Sequence, residues 1–217
     1  MYSPIKASGG VILASNKKNG QEPAPVKNIT IQNVVATVDL GVKVKLEQAA
    51  SRLSAKAHIS YNPKHFPGII LKIWNPKVTF LVFRSGKMVA TGAKSRKMIV
   101  EAANIVVGLL RETDAIVKSQ KALKIDVNNV VASGGLGCRI DLEMTALLME
   151  NVMYEPDQFP GVIYHMNDPK AVLLLFRSGN FVCTGTRKGA DVYAAIDKVS
   201  HILQEIDALE EAERPHS

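Results

Sequence analysis

The chain has 217 residues, 47% hydrophobic and 22% charged, which is the balance of an ordinary globular protein with enough length to bury a core. Its two cysteines, Cys138 and Cys183, lie at no metal-binding or redox spacing, which excludes a disulfide scaffold and points to packing roles in a reducing compartment. No apolar run approaches the ~20 residues that cross a bilayer, so no membrane partner is expected.

Residues 1–26 read as a disordered basic tail, because Gly9-Gly10, Lys17-Lys18-Asn19-Gly20, Pro23 and Pro25 interrupt every periodicity. A first lobe follows over 27–120. Residues 29–40 alternate and are rich in β-branched side chains, which predicts a strand. Residues 45–53 predict a short helix. Strands are expected at 68–74, 78–83 and 88–91, separated by turns at Asn75-Pro76-Lys77 and Ser85-Gly86-Lys87. A long helix is expected over 95–112, where Ile99, Ala102, Ala103, Val106, Leu109 and Leu110 form one apolar stripe. The second lobe, 121–209, repeats that order: strand 125–133, helix 140–149, strands 161–166, 171–176 and 181–184, long helix 188–209. Residues 210–217 read as an acidic tail.

The likeness of the lobes is literal. Residues 61–94 return at 154–187 with 16 of 34 positions identical, no gap and a constant offset of 93. The first half carries three extra residues between Asn33 and Tyr61, around 55–60. A long unit present twice is a duplication and not a solenoid, and it predicts two similar lobes about a pseudo-twofold axis. Strands with helices gathered on one side of a sheet give an α+β class. Charge breaks the symmetry: residues 28–120 carry fourteen Lys and Arg against five Asp and Glu, while 121–217 carry nine against fourteen. That pattern suits a polyanion on one surface and a basic protein partner on another.

Helices on one side should leave the other side of the sheet polar, yet both parities are apolar. In 78–83 one parity holds Val78, Phe80 and Val82 and the other Thr79, Leu81 and Phe83; in 171–176 the two are Ala171, Leu173, Leu175 and Val172, Leu174, Phe176. No second layer of helices is available, so a ligand or a second subunit must cover the open parity. That parity holds Asn33, Val35, Thr37, Leu81, Phe83, Val89 and Thr91 in the first half, and Asn129, Val131, Ser133, Leu174, Phe176, Val182 and Thr184 in the second. Phe66 and Phe159, each followed by Pro-Gly, enter where a loop meets the sheet. One amide and one or two small hydroxyls among valines and leucines suit a flat apolar object with hydrogen-bond acceptors, not acid–base catalysis.

The segment 31–37, the paired Phe-Pro-Gly sites, the paired Phe-Arg-Ser-Gly turns and the paired Val-Xaa-Thr-Gly strands resemble the TATA-box-binding protein family, its archaeal members above all. The resemblance covers all but the tails. It implies a saddle with one curved ten-stranded antiparallel sheet and four helices on the convex side. The implied function is a general transcription initiation factor that binds the minor groove of A·T-rich promoter DNA, kinks it, and nucleates assembly with transcription factor B and, through it, RNA polymerase. By the same resemblance Phe66 with Phe83 and Phe159 with Phe176 are wedge pairs. Asn33, Val35, Leu81, Val89, Thr91, Asn129, Val131, Leu174, Val182 and Thr184 touch bases; Lys72, Lys77, Lys87, Lys94, Lys170 and Arg187 touch phosphates; Glu155 and Asp157 meet transcription factor B. His165, Asn180 and the Thr186-Arg187 pair depart from the family's basic pattern, and Arg84 and Arg177 are expected to add charge beside the wedges.

No cofactor, metal or catalysis is expected. The run Gly134-Gly135-Leu136-Gly137 lacks a following Lys-Ser/Thr and reads as a turn, the five histidines have no metal spacing, and the single Trp74 reads as packing at a strand end. The resemblance also implies a monomer on DNA, with a dimer left open for the free protein, in the nucleoid-associated cytoplasm of an archaeon or the nucleus of a eukaryote. The alternatives are a non-specific DNA-bending architectural protein, or an enzyme related to nucleases and glycosylases that carry similar domains.

Overall fold

Period-two alternation and helical stripes predict where strands and helices fall, and the computed structural model, which describes residues 3–7, 10–14, 27–54, 58–116 and 122–210, places them accordingly. In chain order the elements are β1 (Ser3–Ala7), β2 (Gly10–Ala14), β3 (Lys27–Asp39), α1 (Leu46–Leu53), β4 (His58–Tyr61), β5 (Gly68–Trp74), β6 (Lys77–Phe83), β7 (Lys87–Ala93) and α2 (Arg96–Glu112). Then follow β8 (Lys124–Gly135), β9 (Arg139–Ile140), α3 (Leu142–Leu148), β10 (Val152–Tyr154), β11 (Gly161–Met166), β12 (Ala171–Phe176), β13 (Asn180–Thr186), α4 (Gly189–Glu205) and β14 (Leu209–Glu210). Ten of the strands form one antiparallel sheet in the order β10-β11-β12-β13-β8-β3-β7-β6-β5-β4, and with four helices this is the α+β class expected.

The chain divides into two compact units, a first of residues 32–129 and a second of 1–31 with 130–217. In the first, α2 packs on β6 and β7 and α1 on β4 and β5, over Val78, Phe80, Val82, Met88 and Ala90, all 1% exposed or less. In the second, α4 packs on β12 and β13 and α3 on β10 and β11, over Leu173, Leu175, Phe181 and Cys183. The large side chain sits on a different strand in each core. Phe80 on β6 corresponds by the repeat to Leu173, and Met88 on β7 to Phe181. Phe181 needs more room than Met88, and Gly134 provides it: a Cβ there would stand 2.6 Å from the Phe181 ring, where the first repeat has Val38. Gly134 and Gly135 therefore belong to strand β8, and the expected turn begins only after them.

The helix ends follow local chemistry. The Ser95 hydroxyl accepts the N–H of Met98 to cap α2, and the Asp141 carboxylate accepts that of Met144 to cap α3. Both long helices stop at an aspartate in the left-handed region, Asp114 at φ 53 and Asp207 at φ 55, after which Ala115 and Ala208 donate back to Leu110 and Leu203. That stop corrects the expectation of a helix to 209: α4 ends at Glu205, and Leu209–Glu210 instead pairs with Arg139–Ile140. Within the segment expected to be a disordered basic tail, Ser3–Ala7 pairs antiparallel with Gly10–Ala14. The remaining parts of both expected tails, and residues 55–57 of the expected insertion, lie outside the described residues.

Candidate nucleic-acid interface

The open face of the first unit is built row by row from cross-strand partners. Thr37, Val89, Leu81 and Ile70 stand directly opposite one another across β3, β7, β6 and β5. The next row is Thr91, Thr79, Lys72 and His58. Val35 shares the parity of Thr37, and all of these apolar and hydroxyl side chains are half-buried. Asn33 is fixed at a bulge. Its Oδ1 accepts the N–H of Gly92 at 2.8 Å and its Nδ2 donates to Thr91 Oγ1 at 3.3 Å, with Gly92 at φ 87. The Thr37 hydroxyl donates to Asn128 Oδ1 at 2.9 Å.

At one end of this strip Phe66 and Phe83 pack ring against ring, with centroids 5.7 Å apart and planes at 61°. Gly68 lies beneath them, because a Cβ there would come within 2.8 Å of the Val82 carbonyl and 2.9 Å of the Phe66 ring. The Phe-Pro-Gly sequence thus has a steric reason. Only a residue without a side chain lets both rings settle on the strand.

The second unit repeats this arrangement. Ser133, Val182, Leu174 and Ile163 form the corresponding row across β8, β13, β12 and β11, followed by Thr184, Val172 and His165. Val131 shares the parity of Ser133 on β8, and so does Asn129, at the end of the first unit. Phe159 and Phe176 stand 5.6 Å apart at 59°, over a Gly161 whose Cβ would meet the Leu175 carbonyl at 2.7 Å. Each repeat therefore carries its expected wedge pair and its expected base-contacting set on one parity, all within one unit except Asn129, which is the last residue of the first unit. The sequence reading left out Ile70 and Ile163, which carrying strict alternation through β5 and β11 would have added to the face.

The margins differ. Lys72, Lys77 and Lys87 are exposed on the open parity of the first unit, and exposed Lys94 follows β7. In the second unit exposed Lys170 precedes β12 and exposed Arg187 follows β13, while His165 and Asn180 take the places of Lys72 and Lys87. Glu155 and Asp157 are exposed in the turn that delivers Phe159, whose N–H donates to the Glu155 carbonyl; Phe66 is held in the same way by Asn62.

Arg84 and Arg177 do not add free charge beside the phenylalanines. Arg84 pairs with Glu47 of α1, which also accepts from the Tyr61 hydroxyl, and Arg177 pairs with Glu143 of α3, which accepts from Tyr154. Each glutamate is held below the ordinary carboxylate range, first by a backbone hydrogen bond at its helix's first turn and then by its arginine.

Trp74 departs from its expected packing role. It lies on the open parity at the end of β5, 60% exposed, because among the described residues no helix covers that parity. Burial raises both thiols, Cys183 to about 11, so neither is a nucleophile at neutral pH. Among the described residues no three His, Cys, Asp or Glu side chains gather to hold a metal. No helix of the described residues is long and apolar enough to cross a membrane.

The sequence model of the family described as "Transcription factor TFIID (or TATA-binding protein, TBP)" matches residues 28–113 and 124–206, both repeats in turn. This chain belongs to the TATA-binding protein family. It is 45% identical over 179 residues to the TATA-box-binding protein of Pyrobaculum aerophilum, covering 82% of this chain and 87% of that one. The TATA-box-binding protein of Thermococcus celer is 42% identical over 185 residues, 85% of this chain and 95% of its own. Among solved structures, Methanococcus jannaschii TBP superposes with a TM-score of 0.74 at 36% identity, over 82% of this chain and 99% of that one. These archaeal TATA-binding proteins agree with the archaeal character of the paired Phe-Pro-Gly sites.

Proposed function

We propose that this protein is a general transcription initiation factor that binds the minor groove of A·T-rich, TATA-type promoter DNA and bends it. The observation that carries this reading is the pair of matched open faces, each an apolar strip with an asparagine and hydroxyls at one part and a phenylalanine pair at its end.

The chemistry follows from the strip. A·T and T·A pairs both present only acceptors in the minor groove, which Thr91, Thr184 and the asparagine amides meet as donors. A guanine adds an amino group against Val35, Val89, Val131 and Val182, where it would lose its hydrogen bond to water without replacement. The surface therefore favours A·T over G·C while hardly separating A·T from T·A. Phe66 with Phe83, and Phe159 with Phe176, insert at base steps at the two ends of the site. Unstacking costs a few kcal/mol per step, offset as the opened groove meets more of the apolar strip. Pyrimidine–purine steps yield most easily, so deformability adds to selectivity. Lys72, Lys77, Lys87, Lys94, Lys170 and Arg187 neutralise flanking phosphates, which makes binding steeply salt-dependent.

The exposed acidic pair Glu155 and Asp157 supports transcription factor B as the basic partner, with RNA polymerase recruited through it. The first-repeat counterparts are Asn62 and Lys64, so only one end of the protein offers that contact. The protein acts as a monomer on DNA and performs no catalysis. Competition between A·T-rich and G·C-rich duplexes of equal length tests the reading. The A·T-rich duplex is expected to win; equal affinity would instead favour a non-specific architectural protein.

A further inference from the structure

We propose that Trp74, backed by His58, is an additional contact to the sugar–phosphate backbone of duplex DNA, built into the first repeat and absent from the second. It rests on the duplex-binding reading above. The indole is one of the few large apolar groups left exposed, at 60%, and it is not a stray surface residue. Ile70, Lys72 and Trp74 alternate outward along β5 while Ile69, Leu71 and Ile73 point to the core, so Trp74 continues the open face. Lys77 stands directly opposite it and Lys72 lies two residues before it.

The ring is also held. His58, opposite Lys72 on β4, packs edge-on against the indole with centroids 5.4 Å apart and planes at 82°. A diagonal cross-strand pair of this kind limits the rotamers of both side chains, so less freedom is lost when a ligand arrives. Its place in the face decides what it meets. Phe83 and Lys77 mark the two ends of β6, roughly 20 Å apart at strand rise, and Trp74 lies at the lysine end, away from the wedge. There the flat ring lies against deoxyribose and its N–H, a donor only, meets a phosphate oxygen between those bound by Lys72 and Lys77. Such a contact carries no sequence information. The offset of 93 puts Asn167 at the place of Trp74, and Asn151 aligns with His58 counting back from the repeated tyrosine, so the second repeat has no aromatic pair here.

Trp74 is the single tryptophan of the chain, so intrinsic fluorescence reports on this position alone. An A·T-rich duplex is expected to shield it from acrylamide quenching in the full-length protein. Trp74→Asn, which installs the second-repeat residue, is expected to weaken binding about fivefold to tenfold on A·T-rich and G·C-rich duplexes alike, with the salt slope unchanged. Lys77→Ala should instead lower that slope by about one. If wild-type protein binds the A·T-rich duplex while Trp74 stays as accessible as in the free protein, or Trp74→Asn binds like wild type, the Trp74 contact is overturned and the functional reading stands. If wild-type protein binds no duplex, both fall.

Discussion

In the first repeat Thr37, Val89, Leu81 and Ile70 cross four strands in one row, and in the second Ser133, Val182, Leu174 and Ile163 cross four strands in the same register. The phenylalanine pairs agree as closely, at 5.7 and 5.6 Å. Beneath this agreement the cores have drifted: Phe80, Met88 and Val38 in one repeat face Leu173, Phe181 and Gly134 in the other, a change of shape that keeps each interior filled. Around it the margins have drifted further, with Lys72, Trp74 and Lys87 replaced by His165, Asn167 and Asn180. A core constrains only its own packing, and a rim only its local partners. The part held most constant in both copies is the centre of the open face, Val89, Leu81 and Ile70 against Val182, Leu174 and Ile163 with the two phenylalanine pairs, as the proposed reading of two equivalent contacts to one ligand requires.

Breaking the faces one at a time tests that equivalence. The double change Phe66→Ala with Phe83→Ala should cut affinity for an A·T-rich duplex roughly 100-fold, about 3 kcal/mol of lost apolar burial, and Phe159→Ala with Phe176→Ala should match it. Fluorescence anisotropy titrations would measure both. Losses that differ by more than tenfold would mean that the unequal margins, not the faces, dominate binding.

The glycines below the rings come next. Gly68→Ala and Gly161→Ala should each destabilise the fold by about 2 kcal/mol in urea titrations, since each new Cβ meets a backbone oxygen under 3 Å away. The smallest effect concerns a place where the copies differ. Thr186 is buried with no hydrogen-bond partner for its hydroxyl among the described residues, and its first-repeat counterpart is Ala93. Thr186→Ala should stabilise the protein by about 1 kcal/mol, read as a higher thermal midpoint.

Much of this arrangement was legible in the residues. Alternation placed β5, β6, β11 and β12, and the doubled apolar parity showed that one face lacked a cover. The paired Phe-Pro-Gly and Phe-Arg-Ser-Gly motifs of the literal repeat marked the four phenylalanines, strand alternation marked Asn33 and Asn129, and the family resemblance supplied the roles expected of them. What escaped depended on contacts distant in sequence. The partners of Arg84 and Arg177 are glutamates 37 and 34 positions back on helices. Gly134 looked like a turn because Phe181, which needs its missing side chain, lies on another strand. Trp74 looked like packing because nothing local says that no helix reaches its face. The end of α4 was missed because the apolar stripe continues through Ile206 while Asp207 turns the backbone away.

End-to-end energy transfer in an A·T-rich duplex labelled at both termini measures bending directly. Transfer is expected to rise sharply as wild-type protein saturates the duplex, and to stay at the free-duplex value when Phe66, Phe83, Phe159 and Phe176 are all alanine at concentrations that restore binding. A duplex that remains straight under saturating wild-type protein, or bends equally with the four rings removed, would contradict the role assigned to the paired phenylalanines.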